Sequence, residues 1–234
     1  MQESKLLVAN WKMNPLSVKD AEEIFEHVAN GMEGLASPRI VICPPFPFLA
    51  SLSRAKERHP LIDLGAQDSF WEDQGPYTGE VSPAMLASLN CSHVILGHSE
   101  RRRHLGETSA MVRKKIISAL KARLTPVVCA ENSSQLEETM GGMSKEETDR
   151  CIVVFEPSWA ISTNEGAREA SVEEIKWAAE SFRKIVANAP ILYGGSVAAE
   201  NITEIITGAG LRGALVGKAS LNAEEFVSMA RAIA

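Results

Sequence analysis

Eight short apolar runs recur along the chain, separated by stretches with helical periodicity, and this alternation limits the possible folds more than any other feature. The runs are Leu6-Leu7-Val8-Ala9, Ile40-Val41-Ile42-Cys43, Ile62-Asp63-Leu64-Gly65, Val94-Ile95-Leu96, Val127-Val128-Cys129, Ile152-Val153-Val154-Phe155, Ile191-Leu192-Tyr193 and Ala214-Leu215-Val216. Most are continuous rather than alternating, the pattern of parallel strands covered on both faces. Between them, Ala21, Ile24, Phe25 and Val28, or Ile175, Ala178, Ala179, Phe182 and Ile185, fall at helical spacing. Helix starts are marked by Ser17 with Asp20, by Ser171 with Glu173 and Glu174, and by Pro83 at the head of a short third helix. Unbroken βα alternation predicts a single α/β domain over residues 1–234, and eight units predict a (β/α)8 barrel of parallel strands. Each unit then has roughly 29 residues, near the ~30 of a βαβ repeat. An open nucleotide-binding sheet would want G-x-G-x-x-G after an early strand, whereas the first run leads into Asn10-Trp11-Lys12.

Charge and cysteine usage narrow the function. With 24 Lys+Arg against 30 Asp+Glu, the net charge of -6 disfavours coating nucleic acid. Arg101-Arg102-Arg103 reads as a solvated or salt-bridged helix start. Cys43, Cys91, Cys129 and Cys151 lie 48, 38 and 22 residues apart, without the spacing of zinc or dithiol motifs. Buried free thiols in a reducing compartment are expected, hence a cytoplasmic location. No apolar run exceeds five residues and no basic segment precedes a long apolar one, so neither a membrane span nor a signal peptide is expected.

In a barrel of this kind the chemistry sits at the C-terminal ends of the strands. Those ends carry Asn10-Trp11-Lys12, Gly97-His98-Ser99-Glu100-Arg101, Glu156-Pro157, Gly194-Gly195-Ser196 and Gly217-Lys218. Taken singly, each has an ordinary structural explanation: a strand-end Glu, a backbone-held His, a solvated Lys, a turn Gly. Taken together they form a site. Glu156 follows four apolar residues, where desolvation is expected to raise its proton affinity as a general base needs. His98 opens a helix whose dipole favours a neutral imidazole. His93 and His104 lie five and six residues from His98, off one helical face, so no metal site is expected. Glycine turns after the last two strands, each expected to lead into a short helix, match a phosphate cradle. The sixth and seventh runs begin 39 residues apart, the longest interval, and Pro157 to Thr163 reads there as a mobile lid. Base, electrophile, cation, cradle and lid describe proton abstraction beside the carbonyl of a small phosphorylated substrate.

Asn10-Trp11-Lys12-Met13-Asn14, Gly97-His98-Ser99-Glu100-Arg101-Arg102, Phe155-Glu156-Pro157-Ser158-Trp159-Ala160-Ile161, Tyr193-Gly194-Gly195-Ser196 and Leu215-Val216-Gly217-Lys218-Ala219-Ser220-Leu221 occur in collinear order. The chain thereby resembles the triosephosphate isomerase family over its whole length, a family that is also a standard worked case of pKa tuning. The resemblance implies a TIM barrel and an isomerase of glycolysis and gluconeogenesis that interconverts dihydroxyacetone phosphate and D-glyceraldehyde 3-phosphate through an enediolate. It implies that Glu156 shuttles the proton and that neutral His98 polarises the carbonyl. Lys12 would stabilise enediolate and phosphate, Asn10 would hydrogen-bond substrate, and Glu100 would support Lys12. The phosphate would lie on Ser162, Ser196, Gly195, Gly217 and Lys218, under a lid from Pro157 to Ala167 that meets Tyr193 and Ser196. The resemblance further implies no cofactor or metal, and a homodimer in which the Gln74–Glu80 loop brings Thr78 to brace the partner's Asn10 and Lys12.

Departures from the family pattern bear on detail. Ser162 and Asn164 stand where the lid commonly has glycine, Phe155 replaces a tyrosine, Ala130 replaces a glycine, and Lys218 replaces a second glycine. The Lys218 side chain could add a phosphate contact or point outward, and outward is the expectation because the family contact there is a backbone one. Only 27 positions separate Cys129 from Glu156, so the fifth helix should be shortened near Gly141-Gly142. Another phosphate-binding barrel, such as a sugar-phosphate epimerase or a tryptophan-pathway isomerase, would not require this set of motifs together. A catalytically silent binding or adhesion relative would be favoured by loss of the base or electrophile, yet both are present.

Overall fold

A computed structural model describes residues 4–161, 166 and 168–234. The strands are β1 (Leu6–Asn10), β2 (Arg39–Cys43), β3 (Ile62–Ala66), β4 (Cys91–Leu96), β5 (Thr125–Ala130), β6 (Ile152–Phe155), β7 (Ile191–Tyr193) and β8 (Gly213–Val216). They pair in parallel and in sequence order, and β8 closes on β1 through Leu6 opposite Gly213 and Ala9 opposite Val216. The helices are α1 (Val18–Gly31), α2 (Phe46–Lys56), α3 (Pro83–Ser88), α4 (Ser99–Leu105), α5 (Ser109–Lys121), α6 (Ser133–Met140), α7 (Lys145–Asp149), α8 (Val172–Val186), α9 (Ile202–Gly208) and α10 (Ala223–Ala232). This is the single (β/α)8 barrel that the alternation predicts.

Two apolar layers explain why the strand runs are continuous. Val8, Val41, Ile95, Val127, Val154, Leu192 and Leu215 point into the barrel and pack on one another. Leu7, Ile40, Leu64, Val128, Val153 and Val216 point outward into the sheath formed with the helices. Burying each such side chain stabilises the fold by roughly 1.5–3 kcal/mol. β4 begins at Cys91, earlier than its apolar run, because Cys91 pairs with Leu64 and His93 with Gly65 and Thr125 in the neighbouring strands, while Ser92 Oγ and His93 Nδ1 lie 2.8 Å apart.

The local signals work as their chemistry requires. Ser17 accepts from the Asp20 N–H at the start of α1, Ser82 accepts from Met85 before Pro83, and Ser171 and Glu174 form a reciprocal capping box on α8. Unit five is trimmed as expected: α6 has 8 residues and stops at Gly141, and the five-residue α7 follows. One expectation needs correction. Gly217 leads directly into a 3-10 turn, Lys218–Leu221, but the Gly194-Gly195-Ser196 turn is followed by loop until α9 begins at Ile202. Ala198 N–H is taken by the Asn201 side chain at 2.9 Å, which holds that loop in a turn before the helix can start.

Candidate active site

The polar strand ends meet at one mouth, around a cavity of about 610 Å³ whose lining includes Asn10, Lys12, His98, Glu156, Gly217 and Lys218. Asn10 ends β1 and is buried, and its Oδ1 accepts from the Lys12 N–H at 3.0 Å. Lys12 has φ +55°, a left-handed conformation costly for a lysine. The Asn10 bond helps to hold it, and so does Gln67, whose Nε2 donates to Lys12 O at 2.8 Å and to Cys43 O at 2.9 Å. The Lys12 ammonium is aimed across the mouth and pairs with Glu100 Oε1 at 2.6 Å.

His98 and Glu156 are organised by the first turn of α4. Gly97 has φ +72°, which turns the chain sharply out of β4 so that His98 becomes the N-cap. The unpaired N–H groups of that turn then serve the site. Glu100 N–H donates to His98 Nδ1 at 3.2 Å, and Ser99 N–H donates to Glu156 Oε2 at 3.0 Å. Because Nδ1 is an acceptor, the ring hydrogen belongs on Nε2, and Nε2 lies 2.8 Å from Glu156 Oε1. Ser99 Oγ donates to the same carboxylate oxygen at 3.0 Å.

Those donors reverse one expectation. Glu156 is buried, and burial alone would push its carboxyl up, but His98 and the two Ser99 donors outweigh it and hold the group below its ordinary value of 4.5. In this arrangement the carboxylate is held ionised and facing the imidazole.

Opposite this pair, the glycine turns of β7 and β8 form the other wall. Among the described residues, neither the Gly195 nor the Gly217 N–H donates a hydrogen bond within the protein. A side chain on Gly195 would fall within 2.1 Å of the Tyr193 hydroxyl, so the approach of these groups requires glycine. Ser196 uses both its N–H and its Oγ on the Ala160 carbonyl, each at 3.0 Å, tying this wall to the segment after Glu156. Lys218 is exposed and also lines the cavity. Ser162, Thr163, Asn164 and Ala167, on which part of the lid and phosphate expectations rest, lie outside the described residues. Among the described residues no group of three or more His, Cys, Asp or Glu side chains could hold a metal ion, and no helix is long and apolar enough to cross a membrane.

Two features escape the sequence reading. One is Gln67; the only available signal was its place one residue beyond β3, at a strand end left out of the mouth. The other is a buried ion cluster behind the mouth: Lys115 pairs with Asp68 at 2.8 Å and with Glu107, and Arg101 pairs with Asp68 at 2.8 Å and with Glu107 at 3.3 Å. Burial pushes Asp68 up to about 6, opposed by Lys115 and reinforced by the like charge of Glu107. Arg102, the middle residue of α4, reaches back to Gly97 O at 2.8 Å and to Ser109 and Thr139, both at 3.2 Å. Arg101 and Arg102 therefore serve as structural scaffolding behind His98.

The family model described as triosephosphate isomerase matches residues 5–233. Curated relatives bearing that name include one from Dictyoglomus turgidum, 36% identical with 97% of this chain and 98% of the relative covered. Another, from Moorella thermoacetica, is 38% identical with 96% of each chain covered. A third, from Dehalococcoides mccartyi, is 39% identical with 97% of this chain and 95% of the relative covered.

Proposed function

The chain belongs to the triosephosphate isomerase family, and from that premise we propose that it interconverts dihydroxyacetone phosphate and D-glyceraldehyde 3-phosphate. The observation that carries the reading is the His98–Glu156 contact of 2.8 Å, at one wall of a cavity lined elsewhere by Lys12 and the Gly217 turn. Glu156 takes the proton from C1 of the ketose, and the C–H electron pair becomes the C1–C2 double bond. The carbonyl electrons move onto the C2 oxygen, which His98 Nε2–H and the Lys12 ammonium stabilise. Transfer of the O1 hydroxyl proton to O2, passed along the His98 side of the site, and return of the carbon proton from Glu156 to C2 give the aldose, with C1 now the carbonyl. No electron leaves the substrate, so the scheme calls for no redox cofactor, and the two cationic or N–H donors take the place of a Lewis acid.

Substrate must exchange partners with the resting site. Its carbonyl takes the Nε2–H that now faces Glu156, and this frees the carboxylate to accept a proton. Phosphate is placed on the N–H groups of Gly195, Gly217 and Lys218, and on Ser196 once Ser196 releases Ala160. The segment from Pro157 to Ala167 closes over it, with Ser162 as a further phosphate contact. Asn10 and Glu100 hold Lys12 in position.

A homodimer is part of the proposal. Met13 and Leu16 are 88% and 94% exposed on the loop after β1, and Tyr77, its ring tilted against Phe70 with centroids 4.6 Å apart, is also exposed. Tyr77 adjoins Thr78 in the chain, and these exposed apolar side chains suit a second copy whose site Thr78 would brace. The four buried free cysteines fit a reducing compartment, and the cytoplasm is proposed. In a linked dehydrogenase assay, purified protein should produce D-glyceraldehyde 3-phosphate from dihydroxyacetone phosphate; absence of turnover in both directions overturns the reading.

A further inference from the structure

The ionisable lining of the cavity raises a question of charge. Lys12 and Lys218 are its cations, Glu156 and Glu225 its anions, and His98 is a Nδ1 acceptor and therefore read as neutral. The Lys12 charge is already engaged by Glu100 at 2.6 Å. The Lys218 ammonium, by contrast, makes no hydrogen bond or ion pair among the described residues. Without Lys218 the lining would carry a net negative charge, in a chain whose overall charge is -6. A phosphate dianion entering such a mouth would meet repulsion before it reached any backbone N–H group.

Position supports the same assignment. Lys218 directly follows Gly217 and opens the 3-10 turn Lys218–Leu221. The Lys12 side chain also approaches Gly217, passing within 3.3 Å of where a Cβ on that glycine would lie. The Gly217 turn thus has one lysine beside it in space, paired with an acid, and another next to it in the chain, unengaged among the described residues. Glu225 faces the same cavity from the first turn of α10, where Asn222 caps its N–H at 3.2 Å.

We propose that the Lys218 ammonium is a second cationic contact for the substrate phosphate, acting beside Lys12 across the Gly217 turn and offsetting Glu225 at the rim. The proposal rests on the phosphorylated-triose reading above. It assigns to this side chain a role in anion affinity rather than in proton transfer, and Lys218 touches only the non-reacting end of the substrate.

The test is steady-state kinetics of wild-type protein, Lys218→Gln and Lys218→Arg, with inorganic phosphate as competitive inhibitor and as a direct calorimetric ligand. In Lys218→Gln, KM and the phosphate inhibition constant rise together by about 3- to 6-fold while kcat changes less than either. Lys218→Arg restores both constants, and added salt raises KM more in the wild type than in Lys218→Gln. If the phosphate constants of Lys218→Gln match the wild type in an active enzyme, the proposal is overturned and the isomerase reading stands. If the wild type lacks isomerase activity but binds phosphate more tightly than Lys218→Gln, the isomerase reading falls and the anion contact stands.

Discussion

Ser99 holds Glu156 twice, donating from its backbone N–H and from its Oγ, each at 3.0 Å, to the two oxygens of the buried carboxylate. The first residue of α4 thereby helps His98 to control the charge of a group supplied by the end of β6. Removing the hydroxyl should let burial reassert itself. In Ser99→Ala the acid limb of kcat/KM should move to higher pH by roughly one unit, since a hydrogen bond to a charged group is worth about that much. The sign is fixed by the lowered folded value: the Glu156 contribution to stability is complete above about 4.5 and is lost as pH falls through the folded value. An acid limb that stays in place in Ser99→Ala would show that the other donors set the titration.

Gln67 ties the left-handed Lys12 backbone to the end of β2 through two carbonyls. Gln67→Glu replaces the donor with a charged acceptor facing those same carbonyls. Lys12 should lose its place over the mouth, and kcat/KM should fall by roughly 10- to 100-fold, the scale of a displacement of about 1 Å in a catalytic group. Circular dichroism of the variant separates this effect from unfolding, and unchanged kinetics would mean that Asn10 suffices to position Lys12.

Asp68 provides a separate pH signature. Its folded value of about 6 exceeds its ordinary 3.8, so the native state binds the extra proton between these limits and stability declines as pH rises through that window. Asp68→Asn should flatten the dependence of Tm on pH between about 4 and 6. An identical slope in the variant would assign the titration elsewhere.

The loop carrying Thr78 tests the assembly. Sedimentation at micromolar concentration should give a species of twice the chain mass, and Thr78→Arg should shift it toward monomer with loss of activity, because a cation placed near the partner's Lys12 is repelled. Monomer in the wild type would remove the dimer from the account.

The barrel was legible because its signal is local and repeated. Each strand is buried on two sides, so its residues are apolar wherever it sits, and caps such as Ser17 and Ser171 act within three residues. Glu156, His98 and Lys12 were legible as chemical types at strand ends. What escaped depends on groups brought together from distant units. The burial of Glu156 follows from its run of apolar neighbours, but its depressed titration follows first from His98 and then from Ser99, 57 positions away. Lys12 looks like any surface lysine until Gln67, from 55 positions away, is seen holding its carbonyl. Asp68, Glu107 and Lys115 read singly as ordinary surface charges, and only the packing of α5 against the barrel buries them as a cluster.

The most direct measurement compares wild type with Glu156→Gln in the linked triose phosphate assay. The substitution keeps the shape and one of the two accepting oxygens that face Ser99, but removes the base. Turnover should fall by roughly 100- to 10,000-fold, with the circular dichroism spectrum unchanged. If folded Glu156→Gln retains kcat within about 3-fold of the wild type, proton transfer by Glu156 is excluded and the proposed mechanism fails.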